Sequence, residues 1–196
     1  MNVFRAYCRS AIIPLFLVAA GCGEPVDPRV AALQKQFVLA TAPSGERTVS
    51  SIRNEFLESE DSSPAPAEID VVIRGRINAG ELPPWESGKT AFVLTDATGH
   101  SEGDGHDPHT CPFCSRKIED YVVQVSFRDA AGKLIEIDSR EAFGLQEQQL
   151  LVITGKARIE DKVLKVDATG LCFVKPGVAP NSADEPSEEA IDNPGQ

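Results

Sequence analysis

Between residues 68 and 175, apolar and polar side chains alternate in short runs separated by turn residues. On a strand, residues two apart share a face, so this period builds a sheet with one buried side. The first run is "IDVVIRGRI" at 69–77, and "AFVLTDA" at 91–97 follows it. "NAGELPPWESGK", with two glycines and two prolines, separates them. "YVVQVSF" at 121–127 is the third strand, and "DAAGK" turns the chain into a short run, "LIEID", at 134–138. "SREAFGL" at 139–145 predicts a short helix with Ser139 as its N-cap. "QLLVITGKARI" at 149–159 is the fourth long strand. "EDK" then leads to "VLKVDA" at 163–168, and "LCFVK" at 171–175 closes the series.

Five main strands with one short helix between the third and fourth follow the order of an OB-type barrel. Gly75, inside the first strand, and "GKA" near the end of the fourth resemble the bend and turn positions of OB-fold domains. The expected fold is therefore mainly β: a five-stranded OB-like barrel with one short helix. An immunoglobulin-like sandwich is disfavoured by the strand count and the helix. Upstream, "DPRVAALQKQFVLA" at 27–40 predicts a helix, with Asp27 as N-cap and Pro28 at its first position. A second short helix is expected in "SSIRNEFLESE" at 50–60, and residues 61–67, mostly serine, proline and alanine, read as a linker. Residues 176–196 are rich in proline and acids and hold no lysine or arginine, which predicts disorder.

The start of the chain sets the compartment. Arg5 and Arg9 precede the apolar run "AIIPLFLVAA" at 11–20, which is well short of the ~20 residues that span a bilayer. This is an export signal rather than a membrane helix. Its ending, "VAAGC", resembles the lipobox of bacterial lipoproteins, although Ala19 stands where that pattern more often has Leu. The resemblance implies cleavage before Cys22, acylation of that cysteine by palmitate-type chains, and a mature protein held on the cell-envelope membrane, on its periplasmic or extracellular side. Two or more acyl chains anchor stably where one does not. Ordinary signal cleavage with an incidental Cys22 is the competing reading. Residues 1–21 are then leader, 22–67 a tether with the helical segment, and 68–175 the barrel. The formal net charge of −11 becomes −13 once Arg5 and Arg9 leave. So acidic a surface repels phosphate backbones, and no nucleic-acid partner is expected.

The most unusual stretch is "HDPHTCPFC" at 106–114. It lies within an insertion, 97–118, between the second and third strands, whereas most connections have a median of ~4–6 residues. All three histidines, His100, His106 and His109, fall in this insertion with Cys111 and Cys114. A C-x₂-C pair can place two thiolates on one metal, and His106 and His109 can fold back to complete an S₂N₂ set. Tetrahedral S₂N₂ favours Zn²⁺, and Cu(I) is the alternative ion for soft thiolates. His100 is a reserve ligand, and Asp104 and Asp107 are reserves that could orient an imidazole.

The lipobox, the strand order, the "CPFC" insertion and "VDATG" together are similar to uncharacterised bacterial lipoproteins with OB-like domains. That resemblance implies no activity, because OB barrels host many functions. Three other readings of the cysteines compete. A Cys111–Cys114 disulfide would leave the barrel a plain module for a protein or peptide partner. Thiol–disulfide exchange usually sits on a thioredoxin-like βαβ pattern, which this chain lacks. Covalent haem attachment needs a histidine after the second cysteine, where Ser115 stands. Cys172, among apolar residues, reads as core. Trp85 reads as a packing residue over a barrel end rather than a ligand-stacking one, and Asp96 and Asp167 as caps of turns at strand ends. No serine–histidine–acid set, phosphate loop or general base stands out. A non-catalytic structural or sensory role, beside a partner protein in the envelope, is the expectation.

Overall fold

The computed structural model describes residues 27–60, 67–97 and 107–174. Five strands close into a barrel: β1 (Ile69–Ile77), β2 (Ala91–Asp96), β3 (Val122–Phe127), β4 (Leu150–Glu160) and β5 (Val163–Phe173). The order around the barrel is β1-β2-β3-β5-β4, and β4 pairs back to β1. Neighbours are antiparallel except β3 and β5, which run parallel with Val125 opposite Val166. With a helix between the third and fourth strands, this is the OB-like barrel that the strand order predicts.

The alternation explains the closure. Val71, Ile73 and Ile77 of β1 point inward with Val123, Val125 and Phe127 of β3. Leu151 and Ile153 of β4, and Leu164 and Val166 of β5, join them in the core. Burying each such side chain is worth ~1.5–3 kcal/mol relative to exposure. A slip of one residue in register would turn a whole set to solvent, so the pairing is firmly specified.

Among the described residues, three α-helices pack on this frame. In α1 (Pro28–Phe37), the Asp27 carboxylate accepts from the Arg29 amide at 2.8 Å, and Pro28 occupies the first turn. Phe37 stands edge-on to Phe127 at 5.0 Å between ring centres, and Phe143 of α3 (Ser139–Phe143) lies 4.8 Å from the same ring. α1 ends earlier than the helical spacing predicts. Val38 leaves it to bridge to Leu171 of β5, and the Leu39 amide donates to the Leu171 carbonyl at 2.7 Å. α2 (Val49–Glu60) buries Val49, Ile52 and Phe56 and packs against β1, β2 and β3.

Several local expectations are corrected. "VLKVDA" and "LCFVK" are one continuous strand, because Gly170 pairs with Thr154 across a bulge at Thr154/Gly155. The "GKA" segment is therefore mid-strand rather than a turn. The short run "LIEID" is tied to the barrel by a bridge from Leu134 to Arg128. Asp138, not Ser139, caps α3, its carboxylate accepting from the Arg140 amide at 3.0 Å. Ser139 is buried instead, and its hydroxyl donates to the Lys89 carbonyl at 3.2 Å, with the Ala91 carbonyl at 3.3 Å beside it. The proposed leader, Cys22, residues 61–66 of the linker and residues 175–196 lie outside the described residues.

Candidate functional site

The insertion leaves the barrel after β2 and returns at β3. Its two ends are tied together, because the Asp96 amide donates to the Tyr121 carbonyl at 2.8 Å. His100, Asp104 and His106 lie outside the described residues; from Asp107 onward the path is defined.

Asp107 organises the next turn. Its carboxylate accepts from the His109 amide at 2.9 Å, an Asx-type turn, and its carbonyl accepts from the Thr110 and Cys111 amides. One oxygen of this carboxylate thus orients the backbone of the turn. The chain then makes a second turn in which the Ser115 amide donates to the Cys111 carbonyl at 3.0 Å. A 3₁₀ helix, η1 (Cys114–Asp120), continues from it. In such a turn, residues three apart lie on one face, which brings Cys111 and Cys114 together.

Neither sulfur is in a disulfide, and the two differ. Cys111 is partly exposed. The backbone N–H groups of Cys114 and Phe113 act on its sulfur, together with a hydrogen bond from Cys114, and hold its pKa below the ordinary thiol value. Cys114 is only 9% exposed. Burial and the hydrogen bond with Cys111 push its thiol up, while a hydrogen bond with the Tyr121 hydroxyl acts in the opposite sense. Tyr121 is raised in turn, first by that bond to Cys114. Between the two cysteines, Phe113 stands 80% exposed.

His109 points elsewhere, into a notch at the barrel wall. Its Nε2 lies 2.9 Å from Thr95 Oγ1, and that hydroxyl lies 2.8 Å from the Asn78 carbonyl. The carbonyl can only accept, so the Thr95 proton is committed to it and His109 Nε2–H is the donor to Thr95. This fixes the tautomer of the neutral ring and leaves the lone pair on Nδ1. Gly80, at φ +66°, makes room for the ring: a Cβ there would fall 2.8 Å from His109 Nδ1. Among the described residues, no three His, Cys, Asp or Glu side chains are gathered to hold a metal ion. The structure thus brings Cys111 and Cys114 together and docks His109 on the barrel. A polar cavity of about 300 Å³ adjoins this notch, lined by Arg76, Asn78, Thr95, Asp96, Asp107 and Gln148 among others.

The remaining residues singled out from the sequence have structural partners. Trp85 packs on Phe92 at 6.2 Å, with the Arg140 guanidinium 5.8 Å from its ring centre. The Asp96 carboxylate accepts from the amide and hydroxyl of Ser50 at the start of α2. Asp167 is mid-strand and caps no turn. Burial opposes its ionisation, yet hydrogen bonds from Arg128, Arg158 and Ser126 hold its carboxyl below the usual range. Cys172 is buried on β5, and burial raises its pKa. Thr95, Asn78, Gly80 and Tyr121 are the site residues that sequence reasoning misses, because each acts through a partner distant along the chain.

No family model matches this chain, and no curated protein matches it either. Among solved structures it is similar to an aspartyl tRNA synthetase from Entamoeba histolytica, at 17% identity and a TM-score of 0.34. The match covers 59% of this chain and 20% of that one, so the chain spans about a fifth of that enzyme's length.

Proposed function

We propose that this chain is a membrane-anchored OB-like module that binds a soft metal ion on the insertion between β2 and β3. Cys111 and Cys114 supply two sulfurs, and His106 and His109 the two nitrogens, with His100 in reserve. Zn²⁺ is the favoured ion and Cu(I) the alternative. The supporting observation is the pairing of two thiols outside any disulfide on one turn, with Cys111 held toward its thiolate form, since the thiolate is the ligand a metal takes. His109 is docked through Nε2 on Thr95 with Nδ1 against Gly80, so it would join the two sulfurs by swinging out of that notch. The role is binding, structural or sensory, rather than turnover. The anchor is the acyl-modified Cys22, supported by the "VAAGC" sequence, and it would present the barrel to a partner protein in the envelope.

The test is elemental analysis of reduced, full-length protein, with Co²⁺ substitution to report sulfur ligation by its charge-transfer absorption. One ion per chain, lost in Cys111→Ser and in Cys114→Ser and weakened in His106→Ala and His109→Ala, supports the reading. No metal, with Cys111 and Cys114 joined in protein isolated without reductant, replaces it with a plain interaction module. Mass spectrometry of the membrane fraction reads the anchor, and an unmodified Cys22 sinks that part.

A further inference from the structure

The metal reading uses the two sulfurs as equals, but their surroundings are unequal. Cys111 is partly exposed, whereas Cys114, the first residue of η1, is 9% exposed and hydrogen-bonded to Tyr121. An incoming molecule meets the Cys111 sulfur first. Once that sulfur is occupied, the Cys114 sulfur is already beside it, because the two share one face of a turn closed by the Ser115 amide and the Cys111 carbonyl. The turn also gives the pair a short reach across which to close. Cys172, on β5, is hidden and serves as an internal control.

We infer that Cys111 and Cys114 form a reversible two-electron couple that exchanges with low-molecular-weight disulfides, Cys111 attacking and Cys114 resolving. In the first step the Cys111 sulfur attacks one sulfur of R–S–S–R. The S–S bond breaks, a new Cys111–S–S–R bond forms, and the first thiol leaves as RSH with the proton that Cys111 gave up. In the second step the Cys114 sulfur attacks the Cys111 sulfur and expels the second RSH, which takes the Cys114 proton. The protein dithiol is oxidised to a disulfide, and the small disulfide is reduced to two thiols. Access and the order of attack govern such exchange. The couple goes beyond the metal reading and does not need it.

The experiment uses the full chain carrying Cys8→Ser and Cys22→Ser, which leaves Cys111, Cys114 and Cys172 as its thiols, reduced, stripped with chelator, and treated with oxidised glutathione. The expected result is two glutathione thiols released per chain, a peptide linked through Cys111 and Cys114, and an untouched Cys172. Cys114→Ser should retain one glutathione on Cys111, and Cys111→Ser should react about tenfold more slowly. Should a variant fail to fold, limited alkylation of the native chain gives the same order: Cys111 labels before Cys114. Equal labelling of the two sulfurs overturns the inference. So does a native chain that stops at the mixed disulfide. Because the metal has been removed beforehand, this result and the metal analysis succeed or fail separately.

Discussion

Thr95→Val is the substitution that most directly probes how the insertion is held. Thr95 is 1% exposed, and its hydroxyl makes two bonds at once: it donates to the Asn78 carbonyl at 2.8 Å and accepts from His109 Nε2 at 2.9 Å. Valine keeps the shape and removes both. A buried carbonyl left without its donor costs about 1–3 kcal/mol, and the lost bond to the ring adds about 0.5–1.5 kcal/mol. The expected loss is about 2–3 kcal/mol. With urea slopes of ~1–3 kcal/mol/M, the denaturation midpoint should fall by about 1–2 M with its slope unchanged. Adding His109→Ala closes a double-mutant cycle, and a coupling of about 1 kcal/mol between the two positions is expected. The tautomer offers a direct check: nitrogen NMR of the native chain should show His109 protonated on Nε2 and bare on Nδ1 when the ring is neutral. A loss below about 0.5 kcal/mol, with no coupling, would refute the claim that this hydroxyl joins barrel and insertion.

Other substitutions give equally definite outcomes. Gly155→Ala would place a Cβ 2.3 Å from the Asp167 carbonyl oxygen, a backbone atom that cannot swing away. It should cost about 3 kcal/mol in chemical denaturation, more than Gly75→Ala, whose nearest neighbour is the Thr95 carbonyl oxygen at 3.1 Å. Asp138→Asn keeps a capping side chain and removes the charge beside Arg140, which is the main cause holding the Asp138 pKa down at about 2. A carboxyl lowered in the folded state from 3.8 stabilises above that unfolded value and loses its contribution as the pH falls through about 2. Arg140 is well exposed, so the variant should be about 1 kcal/mol less stable at neutral pH, with the difference vanishing near pH 2 in pH-resolved unfolding. Arg53→Met removes a guanidinium, 7% exposed as a residue, that donates to Asp120 at 2.8 Å and to the Lys162 carbonyl at 2.9 Å. A loss of about 2 kcal/mol is expected, with faster amide exchange across η1 as the sign that the 3₁₀ helix has lost its brace.

How much of this was legible along the chain depends on the range of the physics involved. β1 is bounded by the alternation itself, and α1 starts where Asp27 and Pro28 say it should. Both signals are local. Thr169 and Gly170 look like a turn because glycine is a turn residue, yet Gly170 lies where Leu39 and Thr154 leave no space for a Cβ. Glycine there answers a crowd from other elements, which sequence neighbours do not reveal. "LIEID" alternates like a strand but finds no partner strand: the Ile135 amide bonds to Phe127, and its carbonyl takes the Thr90 amide. At α3, Asp138 and Ser139 are both good caps by chemistry, and burial of Ser139 against Lys89 and Ala91 decides between them.

The cysteine pair was legible for the same reason as β1, since three residues of spacing fix a shared face. The support beneath it was not. α2 reads as an appendage in the sequence, but it grips the insertion at both ends. Ser50 bonds to Asp96, where the chain leaves β2, and Arg53 bonds to Asp120, where it returns before β3. The Asp96 amide and Tyr121 carbonyl close the neck, and the Tyr121 hydroxyl reaches Cys114. Ordering a long loop is entropically unfavourable, and residues already fixed at its base reduce what remains to be ordered at its tip. Donor groups on so braced a neck are preorganised, which favours any chemistry that needs two sulfurs to act together. Loosening α2 through Arg53→Met should therefore slow closure of the Cys111–Cys114 pair while leaving the first capture at Cys111 nearly unchanged, because only the second step needs the two sulfurs held side by side.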